Sequence, residues 1–310
     1  METNGRAASR RVSGKASRRA VVGAVLGAGL ALGGGMAAPA AEARPGPTGP
    51  GGLTEASPAS LSTEDPPTDP SADPSPTPPV TASVQVGARE LFVGDFETGD
   101  FSQWNTCQAK GFNGRCRNIG AGNDQMRIVS GADARQGRHA ARFNIRPGDV
   151  PPFGGRERSE VQSNAEGAVV HEGDERWYQW SMKFPENFEN PSGGWFIVLQ
   201  WHSSSGSPPL AINVDNDGRI RIGGDGLKSE PKRWLGSVRR GEWVDYTLHV
   251  KFSRDRGTGF VEGWENGQQT VPRYNRASMK DDENYLKQGV YRDEGPETWV
   301  MQDGMRITGP

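Results

Sequence analysis

Short runs in which apolar and polar side chains alternate recur from about residue 88 to the end of the chain, and no long stretch sustains a 3.6-residue apolar period. The alternation predicts strands over 90–92, 125–129, 140–145, 158–162, 177–183, 195–200, 210–214, 219–222, 244–252, 259–265, 283–291 and 305–308. Turn formers stand between them: Asn123-Asp124, Asn190-Pro191, Asp215-Asn216-Asp217-Gly218, Arg254 to Gly257 and Asn266-Gly267. A single turn of helix is expected over 275–280. Many short strands with regular turns and no internal repeat predict an all-β fold, a sandwich or jelly roll.

Three strands break the ordinary scheme of one apolar and one soluble face. In 156–162, alternation places Arg156, Arg158, Glu160 and Gln162 together. A solvated face laced with cross-strand ion pairs is the plain reading of that series. In 195–202 both faces begin apolar, so the strand is expected to be central. One face then runs Phe196, Val198, Gln200, His202, from hydrocarbon to an amide and an imidazole. In YLKQGVYR (285–292), Tyr285, Lys287, Gly289 and Tyr291 share a face, with Leu286 and Val290 on the other. From Lys287 to Tyr291 is roughly 13 Å at strand rise, the span of two or three sugar rings.

These parts suit one reaction. A uronic acid has a proton at C5, beside a carboxylate, and a leaving oxygen at C4. Removing that proton requires the carboxylate charge to be neutralised by Arg or amide donors. A base that works near neutral pH must take the proton, and histidine fits. An acid must meet the departing oxygen, and a tyrosine phenol fits. Arg158, Gln200, His202, Lys287 and Tyr291 make up that set, and the chemistry requires no cofactor.

The motifs Arg158-Ser159-Glu160, Gln200-Trp201-His202 and Tyr285-Leu286-Lys287-Gln288-Gly289-Val290-Tyr291 resemble, in that order, the R-x-E, Q-x-H and Y-x-K-x-G-x-Y pattern of alginate lyases. The phrases WYQWSMKFP (177–185) and LHVKFSRD (248–255) look more like heparin lyase I-like polysaccharide lyases. The resemblance covers most of 88–308. It implies a concanavalin-like β-jelly roll of two antiparallel sheets with a concave substrate cleft. It implies His202 as base and Tyr291 as acid. Arg158 and Gln200 would neutralise the uronate, and Lys287 would bind a neighbouring acidic sugar. Glu160, Tyr285 and Arg156 complete the expected substrate-binding set. Trp201 stands where the alginate pattern has Ile or Val, which weighs against alginate and brings plain glucuronan-type chains into consideration.

The beginning of the chain reads differently. Residues 1–43 have a basic start, an apolar run from Ala20 to Ala38 and a small-x-small site at Ala41-Glu42-Ala43, the features of an export signal. Ser17-Arg18-Arg19 fits its twin-arginine form. Residues 44–84 hold eleven of the 23 prolines among Ser, Thr, Asp and Gly, and are expected to be a disordered linker. One domain, 85–310, remains. A secreted, extracellular monomer is expected, free of the membrane once the signal is removed. The net charge of −2 leaves no global basic field for nucleic acid. Export permits a disulfide, and the two cysteines, Cys107 and Cys116, are expected to form one. No metal site is expected. A structural cation at 94–100, with its three carboxylates, or at 215–218 is weaker than a plain turn at each.

Two other functions share such a fold. The nine tryptophans suit a non-catalytic carbohydrate-binding module. A β-glucan hydrolase would need a pair of carboxylates on one strand at short spacing, and none stands out.

Overall fold

The computed structural model describes residues 87–310; the expected export signal (1–43) and linker (44–84) lie outside the described residues. Strands make up two antiparallel sheets packed face to face, the jelly-roll sandwich expected from the alternation. The nine-stranded sheet runs β12 (Arg233–Ser237), β11 (Arg219–Gly223), β10 (Leu210–Val214), β9 (Phe196–His202), β16 (Glu283–Arg292), β6 (Arg158–Ser163), β2 (Thr106–Ala109) and β3 (Phe112–Arg115), with β7 (Val170–His171) beside β16. The eight-stranded sheet runs β15 (Gln268–Asn275), β14 (Phe260–Glu265), β13 (Trp243–Lys251), β8 (Glu175–Lys183), β17 (Thr298–Gly309), β5 (His139–Ile145) and β4 (Met126–Ser130), with β1 (Arg89–Gly94) beside β17. The apolar faces meet in one core. Val161, Leu199, Trp201, Leu286 and Val290 come from the first sheet; Tyr178, Trp180, Leu248, Val300 and Ile307 come from the second.

Several elements differ from the sequence reading. The hairpin β2–β3 was not foreseen, because TCQAKGFNGR has no apolar alternation; its pairing is held instead by the Cys107–Cys116 disulfide, with Cα atoms 4.8 Å apart. The strands β7, β12 and β15 also carry too few apolar residues to announce themselves. The stretch 276–280 forms no helix. The 94–100 carboxylates are consumed internally. Asp95 accepts from Gln103 and Arg306, Glu97 from the backbone of Arg138 and His139, and Asp100 from Thr98 and Ser102. Asp215 to Gly218 is a turn closed by Gly218 N–H donating to the Asp215 carbonyl.

One irregularity sets the register of the nine-stranded sheet. Against β10, Leu199 faces Ile212 while Ile197 faces Asn213, so Val198 is an extra residue; against β16, Leu199 faces Gln288 and Ile197 faces Tyr291. Val198 and Leu199 therefore both join the core, and the side-chain parity of β9 reverses there. The sequence reading of Phe196 and Val198 on the face of Gln200 is thus corrected. Phe196 and Val198 are core residues, and Ile197 shares the open face with Gln200 and His202.

Candidate active site

β9, β16 and β6 are neighbours, and their polar faces form the middle of the open side of the nine-stranded sheet. Cross-strand pairing places Lys287 between Gln200 and Gln162, Tyr285 beside His202, and Tyr291 between Ile197 and Arg158. A cavity of about 290 Å³ opens there. It is lined by Arg158, His202 and Tyr291, by Trp195, Ile197, Ala211 and Asn213, and by the 206–208 and 224–225 loops.

Beneath the cavity lies a buried charged cluster centred on Glu160, which is fully buried. Its Oε2 accepts from Lys287 Nζ and from Arg158 Nη1, each at 2.6 Å, and its Oε1 accepts from Gln200 Nε2 at 2.5 Å. Burial works against the Glu160 anion, but Lys287 and Arg158 outweigh it and hold the carboxyl below its ordinary range. Burial pushes Lys287 down to about 8, with Arg158 adding to the effect and Glu160 opposing it. With Lys287 protonated the trio carries one net positive charge, and Arg158 brings it to the cavity wall.

This cluster revises part of the expected binding set. Lys287 is 3% exposed and Gln200 is fully buried, and both are tied to Glu160. Both side chains, expected to hold substrate, are committed to Glu160 and stand outside the cavity lining. Glu160 itself has no surface to offer substrate. Arg158 remains at the cavity wall, its guanidinium 3.7 Å above the Tyr291 ring and 5.7 Å from that of Phe153. Arg156 does not share their face. It precedes β6, pairs with Asp293 and Glu294, and lines a different cavity.

His202 Nδ1 lies 2.5 Å from the Ser203 carbonyl, which can only accept, so Nδ1 carries the proton and Nε2 keeps its lone pair. The Tyr285 hydroxyl stands 3.1 Å from the same Nδ1. Burial lowers the His202 pKa, with Lys287 and Arg158 reinforcing it against the Ser203 bond, so the ring is neutral at neutral pH. Burial raises the Tyr285 phenol, and the charge of Glu160 adds to this. Tyr291 packs edge-on against Trp195, with ring centroids 5.8 Å apart.

Backbone geometry requires the glycine at 289. Its φ is +133°, and a Cβ there would come 2.3 Å from the Ser159 carbonyl oxygen and 2.8 Å from Glu160 Cα. The glycine permits the close approach of β16 to β6. Trp195, Asn213 and the Ser203 carbonyl were not singled out in the sequence. Only the reversed parity of β9 brings Ile197 and its partner Asn213 to this wall. Among the described residues there is no group of three or more His, Cys, Asp or Glu side chains able to hold a metal ion, and no helix long and apolar enough to cross a membrane.

Known structures share the architecture. An endo-β-1,4-glucuronan lyase from the fungus Trichoderma reesei superposes with a TM-score of 0.53 at 18% identity, over 71% of this chain and 96% of that one. The catalytic domain of a glycoside hydrolase family 131 protein from Coprinopsis cinerea gives 0.50 at 16% identity, over 72% and 95%. At these identities the likeness is one of fold. Among curated proteins none matches the chain. A family model described as "Polysaccharide lyase" matches residues 96–306, from the turn after β1 into the last strand, and the chain therefore belongs to the polysaccharide lyase family.

Proposed function

We propose that this enzyme cleaves a uronic-acid-containing polysaccharide by β-elimination, with His202 as base and Tyr291 as acid. The observation that carries the reading is that His202, Tyr291 and Arg158 line one cavity, and that Arg158 shares Glu160 with buried Lys287, the three together carrying one net positive charge. In the proposed step His202 Nε2 takes the C5 proton. The electron pair of that C–H bond forms the C4–C5 double bond, the C4–O4 bond breaks, and O4 receives the Tyr291 phenol proton. Arg158 neutralises the uronate at contact distance, while Lys287 supports it electrostatically from below and Gln200 holds Glu160 in place.

Plain β-1,4-linked glucuronan is the first substrate to test. Trp201 departs from the alginate pattern, and a glucuronan lyase is among the chains of like fold. The phrases at 177–185 and 248–255 favour a heparin lyase I-like branch, so heparan-type chains are the second. Asp225 is the one carboxylate lining the cavity, which does not suit the two-carboxylate chemistry of glycoside hydrolysis. The segment 1–43 supports export and action outside the cell, and we take the enzyme to work there as a monomer. The test is a panel of uronate polymers followed by the ultraviolet absorbance of the unsaturated product. Release of reducing ends without that absorbance would replace elimination by hydrolysis. Binding without cleavage of any polymer would leave a carbohydrate-binding module.

A further inference from the structure

From the catalytic centre, a row of paired residues crosses the open face toward the edge strand β3. Lys287 pairs with Gln162, Gln162 with Thr106, and Thr106 with Arg115. Core-facing Cys107 lies opposite Gly114, so Thr106 and Arg115 are on the open face. Three strand spacings separate Lys287 from Arg115, about 14 Å or roughly two to three sugar rings.

The chain continues from Arg115 through Cys116 to Arg117, so the disulfide pins the residue between two arginines. Two surface cavities adjoin here and share Cys116 and Arg117. One, of about 420 Å³, is lined by Thr106, Arg115 and Arg117; the other, of about 520 Å³, by Arg117, Arg127 and the glycine-rich 119–123 loop. Arg115, Arg117 and Arg127 are exposed, and among the described residues none has an ion pair or a side-chain hydrogen bond. This is unusual in a molecule whose other arginines mostly pair with carboxylates. Arg127 also stands directly opposite Arg142 across β4–β5, a like-charge pair moderated by Asp124 near Arg127 and by Asp133 and Glu297 near Arg142. Asp100 is the one carboxylate lining the larger cavity, and it is engaged by Thr98 and Ser102.

We propose that Arg115, Arg117 and Arg127 form a polyanion track that holds the acidic polysaccharide after it leaves the catalytic cleft over β3, and that it gives the enzyme a preference for long chains. The proposal rests on the uronate-lyase reading above. Its ligand is the carboxylate series of the same polymer: repeated single negative charges, which suit arginines spaced along a groove better than one tight pocket.

The test replaces all three residues with serine. Their exposure makes unfolding an unexpected result, which thermal denaturation checks. Activity is measured on long glucuronan and on a purified tetrasaccharide from it, at low and at high salt. On the polymer, KM is expected to rise about tenfold, the scale of three exposed ion pairs acting together, with kcat unchanged and the salt dependence flattened. On the tetrasaccharide nothing should change. Polymer kinetics equal to the wild type would overturn the track, as would equal losses on polymer and tetrasaccharide. If the wild type cleaves neither, the lyase reading fails separately. The track is then judged by retardation in native gels cast with glucuronan: retardation of the wild type that is lost in the variant supports it, and any other result overturns it.

Discussion

The side-chain amide of Gln302, on β17 in the eight-stranded sheet, reaches through the core and donates to the carbonyl of Gly289 at 3.0 Å. The same nitrogen donates to the Val198 carbonyl at 2.9 Å. These are the two carbonyls at the irregularity where β9 and β16 lose regular pairing. Gln302 is fully buried and makes, from the opposite sheet, the bonds the ladder cannot.

Gln302→Leu keeps the side chain's approximate volume and removes both donors. Two buried carbonyls would be orphaned, and stability should fall by about 2–3 kcal/mol. A shift in the urea midpoint with unchanged slope measures this. The irregularity sets the parity of Gln200 and His202 and the position of Tyr291, so kcat of the fully folded variant should also fall. A destabilised variant with wild-type kcat would show that the register holds without Gln302.

The two tyrosines of β16 should separate cleanly. Tyr291→Phe keeps the ring under Arg158 and against Trp195 and removes the hydroxyl. Turnover should fall about 10²-fold or more, the scale of a lost general acid, with little change in KM. Tyr285→Phe removes a contact to His202 Nδ1, which retains the Ser203 carbonyl, so its effect should be several-fold at most. The reverse ranking in steady-state assays would move the acid role to Tyr285.

The pH profile of kcat/KM should be bell-shaped. Its acid limb reports His202, whose pKa is lowered from 6.5, so activity rises with pH and levels off below the range of an ordinary histidine. Its alkaline limb should fall through about 8 as Lys287 loses its proton and the buried cluster its net charge. The fall is not unfolding. The folded-state Lys287 pKa lies below its ordinary 10.5, so between about 8 and 10.5 the unfolded chain binds more protons and this group's contribution to stability increases with pH. Lys287→Arg, which does not titrate there, should move the alkaline limb upward. An unmoved limb would assign it to another group.

Glu160→Gln leaves Lys287 and Arg158 buried without their shared anion. The variant should lose about 3–5 kcal/mol, the range for breaking a buried pair from one side. Adding Lys287→Met should recover part of the stability but none of the activity. Thermal denaturation of the single and double variants checks the first statement and the polymer assay the second.

The sandwich was legible in the chain because alternation is local: each strand's faces follow from residues two apart, and the long strands β8, β13 and β16 fell close to where the pattern put them. The three motifs were legible too, since cation, amide, imidazole and phenol stand out from a core pattern in any fold. Their partnership was not. That Lys287, Gln200 and Arg158 spend their hydrogen bonds on Glu160 depends on β6, β16 and β9 being neighbours; Glu160 lies 40 residues from Gln200 and 127 from Lys287 in the sequence. The parity of β9 was misread for a related reason. A single extra residue reverses a strand's faces, and nothing in FIVLQWH marks Val198 as extra; what holds it there is the register of two neighbouring strands and one amide from the opposite sheet. Local chemistry was written in the order of residues, while the charge state, the burial and the aim of the same side chains arose from long-range pairing.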